Sequence, residues 1–489
     1  MANLAVHNSP GVYIAEDTYG AIPTALANHS AVYVLGTCSS TDFPVNTPVY
    51  IGNYVDFLTK AISSPSSAAV KLFFSQRSGC GLYFIKVAPR QQVTLSASDF
   101  SLGKVLSVSI GGAVIKYTCV AQETATTALD SLGGLIMLQL AGVVTYYRDA
   151  VSAYLRYPVG STLAVSTGLT LGVATTGTYP KAYDVDDAID AAFVPELEQG
   201  YVCAPEFFQA FLGQSDRYIL QSSLEALASD PNYYWVAVSD FGQAVATSNY
   251  VVNDALTERA GFISTRGNSW CSFPYVVDTY DNLVPSSLVT IGIALRRARA
   301  EGFQQPPAGV SYPVYDVKRL SVNITRDMQE QLNPKGINCF RSLPGRGIVA
   351  YGARTLSTNP YYKFASTRVI LNVLAGTLRN AFDSVVFTLV DGQGVLFSRV
   401  RQTANNVCEI LRLGGALFGA TPQDAYLCIC DLTNNSLLSL ETGEINLDVI
   451  VKPSPTLEVL NITLSRSSLS ATLIAVVASG NPTGIPTTK

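Results

Sequence analysis

Between Ala31 and Val87 the apolar residues change period twice. Ala31-Val32-Tyr33-Val34-Leu35-Gly36 is an unbroken apolar run of strand length. Asn53 and Ser64-Pro65 then mark helix starts, and Ala69, Val70, Phe73 and Phe74 recur at helical spacing. Gly79-Cys80-Gly81 stops the helix before the next apolar run, Leu82-Tyr83-Phe84-Ile85-Lys86-Val87. This is a βαβ unit. Its two strands need a crossover and lie parallel in a sheet covered on both faces, which excludes an all-β sandwich or a helical bundle for this part of the chain.

The alternation resumes further on. It predicts a helix through Ala188, Ile189, Ala192 and Phe193, a strand over 233–238, and a helix near 289–300. In the last third, Val369, Ile370, Val373, Leu374, Leu378 and Ala381 form one helical stripe. A hairpin is expected over 385–390 and 395–400 across Asp391-Gly392-Gln393-Gly394, and a helix through Val407, Ile410 and Leu411. Strands over 426–430, 445–451 and 457–464 are expected to close a sheet. Residues 91–178 read differently: they are rich in Ser, Thr, Val and Gly, with a hairpin 105–110/114–120 over Gly111-Gly112-Ala113, a helix over 125–132 and strands near 143–147 and 161–173.

The fold class is therefore α/β (α+β) and multi-domain. The expected segments are an extended arm at 1–28, the first part of an α/β core at 29–90, a β-rich insertion at 91–180, an α/β middle domain at 181–314, a carboxy-terminal core domain at 315–464 and a second extended arm at 465–489. The arms lack the apolar density to fold alone, yet carry strand-capable runs at Val12, Tyr13 and Ile14 and at Leu473, Ile474 and Val476. Such segments pair with something or stay mobile.

Charge narrows the function classes. Only 14% of the 489 residues are charged, against about 25% in an ordinary soluble domain. A surface this poor in charge suits packing against other protein. The net charge of −4 argues against a phosphate backbone as ligand, so no direct nucleic acid is expected. No apolar run approaches a membrane span and no secretory leader is visible, so no membrane is expected and synthesis is assigned to a cytoplasm. The nine cysteines are scattered without a CxxC pair, which indicates neither a disulfide framework nor zinc. His7 and His29 are the two histidines of the chain, so a His-dependent triad or metal site would have to borrow from the amino-terminal arm.

No local motif defines an active site or a cofactor. Asp184, Asp186, Asp187 and Asp190, with Glu196 and Glu198, are read as helix-start acids ahead of a cation cluster. Gly36-Thr37-Cys38-Ser39-Ser40 follows a strand as a phosphate loop does, but lacks the Lys. Arg296, Arg297 and Arg299 are read as a solvated helix face, and Pro344-Gly345-Arg346-Gly347 as a turn presenting Arg346.

Several segments resemble the tail sheath proteins of contractile phages and related injection machines. Ser9-Pro10-Gly11-Val12-Tyr13-Ile14-Ala15-Glu16 is similar to the sheath opening, Pro-Gly-Val-Tyr before an acid. Val284-Pro285-Ser286-Ser287, Arg299-Ala300-Glu301-Gly302-Phe303 and Pro306-Pro307-Ala308-Gly309 resemble a middle stretch of the family. Most specific are Leu332-Asn333-Pro334-Lys335-Gly336-Ile337-Asn338 and Pro344-Gly345-Arg346-Gly347-Ile348-Val349-Ala350-Tyr351-Gly352-Ala353-Arg354-Thr355-Leu356, continued by Gly419-Ala420-Thr421-Pro422.

The resemblance implies a structural, non-enzymatic subunit. It would polymerise as stacked, hexameric rings around a tail tube protein, between baseplate and tail-terminator proteins, and contract to drive the tube through an envelope. Its place would be the virion tail, with assembly in the host cytoplasm. The alternatives are the sheath of a non-phage injection system or a tail-associated hydrolase. The arms would link subunits by strand addition. The tube contact would come from the carboxy-terminal core, where Arg346, Arg354, Arg399, Arg401 and Arg412 stand in a charge-poor chain.

Overall fold

The computed structural model describes residues 25–460, apart from 141–143, 149–151, 173, 177–178, 195, 212, 231–233 and 393. The main sheet has eight strands: β1 (Ala31–Gly36), β2 (Pro48–Ile51), β3 (Leu82–Lys86), β4 (Gly200–Cys203), β5 (Val236–Asp240), β6 (Ser269–Phe273), β7 (Ile337–Leu343) and β8 (Gly347–Ala350). They lie in the order β8-β7-β6-β5-β4-β1-β3-β2. The six from β7 to β3 are parallel, with registers such as Val34↔Cys203 and Leu35↔Ile85. β2 and β8 pair antiparallel at the two edges.

Alternation within the strands builds two cores. Tyr33, Leu35, Val202 and Ala237 face one side with α3 (Ala182–Ala192), α4 (Pro205–Ala210) and α5 (Gln214–Ser229). Val32, Val34, Cys203 and Val238 face the other with α1 (Tyr54–Ala61), α2 (Ser67–Ser75), α6 (Ser287–Glu301) and α7 (Ala365–Phe382). Both faces are buried, as a parallel sheet requires. Asn53 caps α1, its side chain accepting from Asp56 N at 2.9 Å.

The segment between β3 and α3 carries a buried cluster of its own around Leu106, Val108, Leu132 and Leu155. One of its sheets orders 169–171, 90–97, 153–158 and 145–148, the other 113–118, 105–110 and 163–165, and helix Ala125–Gln139 packs on both. This insertion joins the main body through a buried ion pair. Arg90 Nη1 lies 3.0 Å from Asp187 Oδ2 on α3, both side chains under 10% exposed, and Thr145 Oγ1 donates to Asp187 Oδ1 at 2.7 Å. Arg156 stacks over the Tyr183 ring at 4.1 Å.

The last part of the chain departs from the sequence reading in three places. Residues 385–390 and 395–400 are not strands: the former carry no regular element and the latter open α8 (Val395–Leu413), which takes in the expected helix through Val407. Leu396, Phe397, Val400, Ala404, Val407, Cys408 and Leu411 are its buried stripe. Asp391 and Gly394, read as hairpin turn residues, form its start: Asp391 Oδ1 and Oδ2 accept from Val395 N and Leu396 N at 2.9 and 2.7 Å. Strands β9 (Tyr426–Ile429) and β10 (Asp448–Val451) make a separate two-stranded sheet and do not close the main one. Residues 457–460 carry no strand, and 461–464 lie outside the described residues.

Residues 25–30 run between these bodies. Leu26 packs on both the α7/β1 core and the α7/α8 core, and Ala27 N donates to Thr377 Oγ1 at 2.8 Å. His29 is buried, with Nε2 3.1 Å from Tyr234 O. Asn372 Nδ2 lies 3.3 Å from the same ring nitrogen. Burial pushes the imidazole pKa down to about 4. The ring is neutral when folded, whereas the unfolded chain protonates below about 6.5. Stability is therefore complete above pH 6.5 and falls as pH drops toward 4, by about 3 kcal/mol for this group. Denaturant midpoints across that window should fall more steeply for the native chain than for His29→Gln; parallel curves would contradict this.

Candidate functional site

In an open parallel sheet, ligands bind outside the carboxyl ends of the strands where strand order reverses. Here that point lies between β1 and β4. From β1 the chain moves to one side, to β2 and back to β3, and from β4 it moves the other way to β5. A cleft of about 1020 Å³ opens beside it, lined in part by Ser64, Lys71, Tyr179, Glu206, Gln209 and Asp278.

The crevice itself is filled by the chain's own carboxylate. Glu206, 4% exposed, follows β4 on the first turn of α4. It accepts from Thr37 N (2.9 Å), Thr37 Oγ1 (2.5 Å), Ser66 Oγ (2.6 Å) and Tyr179 OH (2.7 Å). Thr37 leaves β1, Ser66 begins α2 and Tyr179 ends the insertion. Where a nucleotide fold places a phosphate, the Glu206 carboxyl group ties four segments together. Gly36 is required beside it, because an added Cβ would lie 2.4 Å from Ser66 Oγ and 2.8 Å from Glu206 Oε2. The geometry makes the switch point a structural staple.

Asp184 accepts from Lys181 N at 2.8 Å at the start of α3, and burial raises its carboxyl above the ordinary range. Among the described residues no group of His, Cys, Asp or Glu could hold a metal ion, and no helix is long and apolar enough to cross a membrane. Arg296 donates to Pro313 O (2.6 Å) and Arg297 to Pro306 O (2.9 Å), so both hold the loop after α6, whereas Arg299 is exposed. Cys428 is buried in the core, as is Cys430.

The five arginines are not brought together as one patch. Arg346 sits in the β7/β8 turn, exposed and without a side-chain partner among the described residues. Arg354 is half-buried and donates through Nη1 to Asn333 O at 3.1 Å. Arg399 and Arg401 lie on α8, not on a strand; Arg401 Nη1 is 3.8 Å from Asp431 Oδ2. Arg412, at the end of α8, forks onto Glu409 at 2.8 and 2.5 Å and reaches Ala420 O at 3.0 Å. That guanidinium holds the Glu409 carboxyl below its usual range.

A different feature of the same lobe is unsatisfied. Tyr426, Cys428, Val449 and Val451 turn one face of the β9/β10 sheet onto α8. The opposite face shows the cross-strand pair Leu427 and Ile450, both more than half exposed; among the described residues no further strand pairs with β9 or β10, and just past β10 Pro453 bridges Leu417. A two-stranded sheet is marginal alone, and free edges recruit strands. Val386, Phe387 and Leu389, before α8, are also exposed. Composition gave the signal for this surface; the register did not show in the sequence. Val12, Tyr13, Ile14, Leu473, Ile474 and Val476 lie outside the described residues.

No protein-family model matches the chain, and no curated protein matches it. Solved structures do. A chain of the sheath complex, in the contracted state, of the extracellular contractile injection system PVC shares 15% identity over 95% of this chain and 99% of its own, with a TM-score of 0.60. A chain of the contracted helical sheath of the anti-feeding prophage shares 16% over 94% and 100%, at 0.56. A chain of that prophage's contracted baseplate shares 13% over 94% and 99%, at 0.58. Over nearly its whole length, the chain has the fold expected from its sheath-like motifs, that of chains in contractile sheath assemblies.

Proposed function

We propose that this chain is a contractile sheath subunit. It stacks as rings, hexameric ones, around an inner tube between baseplate and terminator, and its contraction drives the tube through an envelope. The observation that carries this reading is the fold likeness to a contracted sheath over 95% of the chain. The exposed β9/β10 sheet fits it, as does a switch point closed by Glu206 in place of a substrate. Strands from the arms of neighbouring copies, at 12–14 and 473–476, complete the sheet's free edges by main-chain hydrogen bonds. Those links hold while the bodies rotate.

The particle is a contractile phage tail in this reading, assembled in the host cytoplasm. One observation favours a second reading, the sheath of a non-phage injection system: the similar structures are of such systems. The insertion at 91–180 faces outward, since both flanks belong to the main body and inserted segments tolerate only exposed faces. Antibodies against 91–180 should label particles at regular intervals along the tail; label confined to one end would overturn the sheath assignment.

The tube contact is basic and weak. A partly exposed ion pair is worth about 0 to 1 kcal/mol, so grip comes from repetition and release stays possible. Arg346, exposed in its turn, is the leading contact. Arg346→Glu should weaken co-assembly with the tube protein several-fold and reduce its salt dependence. Arg412→Glu should act mainly through loss of the Glu409 fork. Unchanged tube binding in Arg346→Glu would replace the basic contact by an apolar or backbone one.

A further inference from the structure

We propose that Cys408 and Cys428 form a redox pair that closes into a disulfide when the folded chain meets peroxide, tying α8 to β9. Their sulfurs lie 4.0 Å apart, and they are the one pair of thiols in contact among the nine free cysteines. A disulfide needs about 2.05 Å between sulfurs, so the two must come about 2 Å closer. Both belong to one small cluster with Val407, Leu411, Ala416 and Leu417. The turn from α8 to β9 is the covalent link between them, with 20 positions separating the two residues. A ring of that size restricts the unfolded chain and so stabilises the lobe.

The two sulfurs have different roles. Across the 4.0 Å contact either sulfur can donate to the other, so it is their exposure that separates them. Cys428 is 6% exposed and Cys408 fully buried, so a small oxidant reaches Cys428 first. The Cys428 thiolate attacks one peroxide oxygen; the O–O bond breaks, the second oxygen leaves as hydroxide, and Cys428 becomes a sulfenic acid. Cys408 then attacks that sulfur, an S–S bond forms, and the S–O bond breaks to release water. In sum, two thiols and hydrogen peroxide give one disulfide and two waters. Because the cluster is closed, the rate follows local opening of the lobe. Cys38 and Cys80 are more exposed, but no resolving sulfur touches either, so neither forms a cross-link in the folded chain.

The test uses the full-length chain, treated with a few equivalents of hydrogen peroxide, quenched with catalase, unfolded without reductant and alkylated. Expected are one peptide pair joined through Cys408 and Cys428, neither cysteine alkylated, and a denaturant midpoint that rises and returns with dithiothreitol. Cys408→Ser should instead stop at a sulfenic acid on Cys428 that dimedone captures. Alkylation of both cysteines after peroxide, cross-links between other pairs, or no dimedone adduct on Cys428 in the variant would overturn the pair.

Discussion

Replacing Glu206 by Ala is expected to lower unfolding stability by roughly 3–5 kcal/mol, the largest single-residue loss in the main body. The change removes the acceptor shared by Thr37 N, Thr37 Oγ1, Ser66 Oγ and Tyr179 OH at a position 4% exposed. Each buried donor left without a partner costs about 1–3 kcal/mol, and breaking a buried charged network reaches about 3–5. Glu206→Gln keeps the shape but loses one accepting oxygen, so its cost should be about half as large. Gly36→Ala should approach the loss of Glu206→Ala, because its methyl would occupy the same space. Denaturant midpoints of the three variants check this. A loss under about 1 kcal/mol in Glu206→Ala would show that water replaces the carboxylate and that the crevice is open to ligands.

A chain lacking residues 1–20 is expected to fold as the full chain does and to form no polymer. Leu26, Ala27 and His29, which dock residues 25–30 against α7 and β1, are retained. What is lost is the run Val12, Tyr13 and Ile14, proposed above to pair with a neighbour's β9/β10 sheet. Main-chain pairing repeated at every subunit contact is the proposed linkage, so the loss should be all or none. Circular dichroism and thermal melting should match the full chain, while sedimentation should show only slow species. Normal polymers from the truncated chain would remove the arm from the linkage.

The sheet was legible where period and length agreed. The run 31–36, the helical spacing of Ala69, Val70 and Phe73, and the run 82–87 gave β1, α2 and β3, because burial on both faces leaves an unbroken apolar strand. Strand 90–97 was missed: only Val93 and Leu95 of its eight residues are buried. The start of α8 was misread because Asp-Gly-x-Gly between apolar runs serves a hairpin and a helix cap equally. The spacing of Leu396, Val400, Ala404, Val407 and Leu411 carried the correct period. Glu206 was silent for another reason. Its partners Thr37 and Ser66 lie 169 and 140 positions away, and long-range hydrogen bonds leave no local pattern. The tube-contact arginines rest on the family resemblance and on charge, and neither reveals that Arg412 is engaged by Glu409.

The sheath assignment stands on one image. Purified full-length chain, concentrated and negatively stained, should form hollow tubes with regular cross-striations, the stacked rings of a sheath without its tube. Compact particles without striation at every concentration and salt, from protein shown by circular dichroism to be folded, would contradict it.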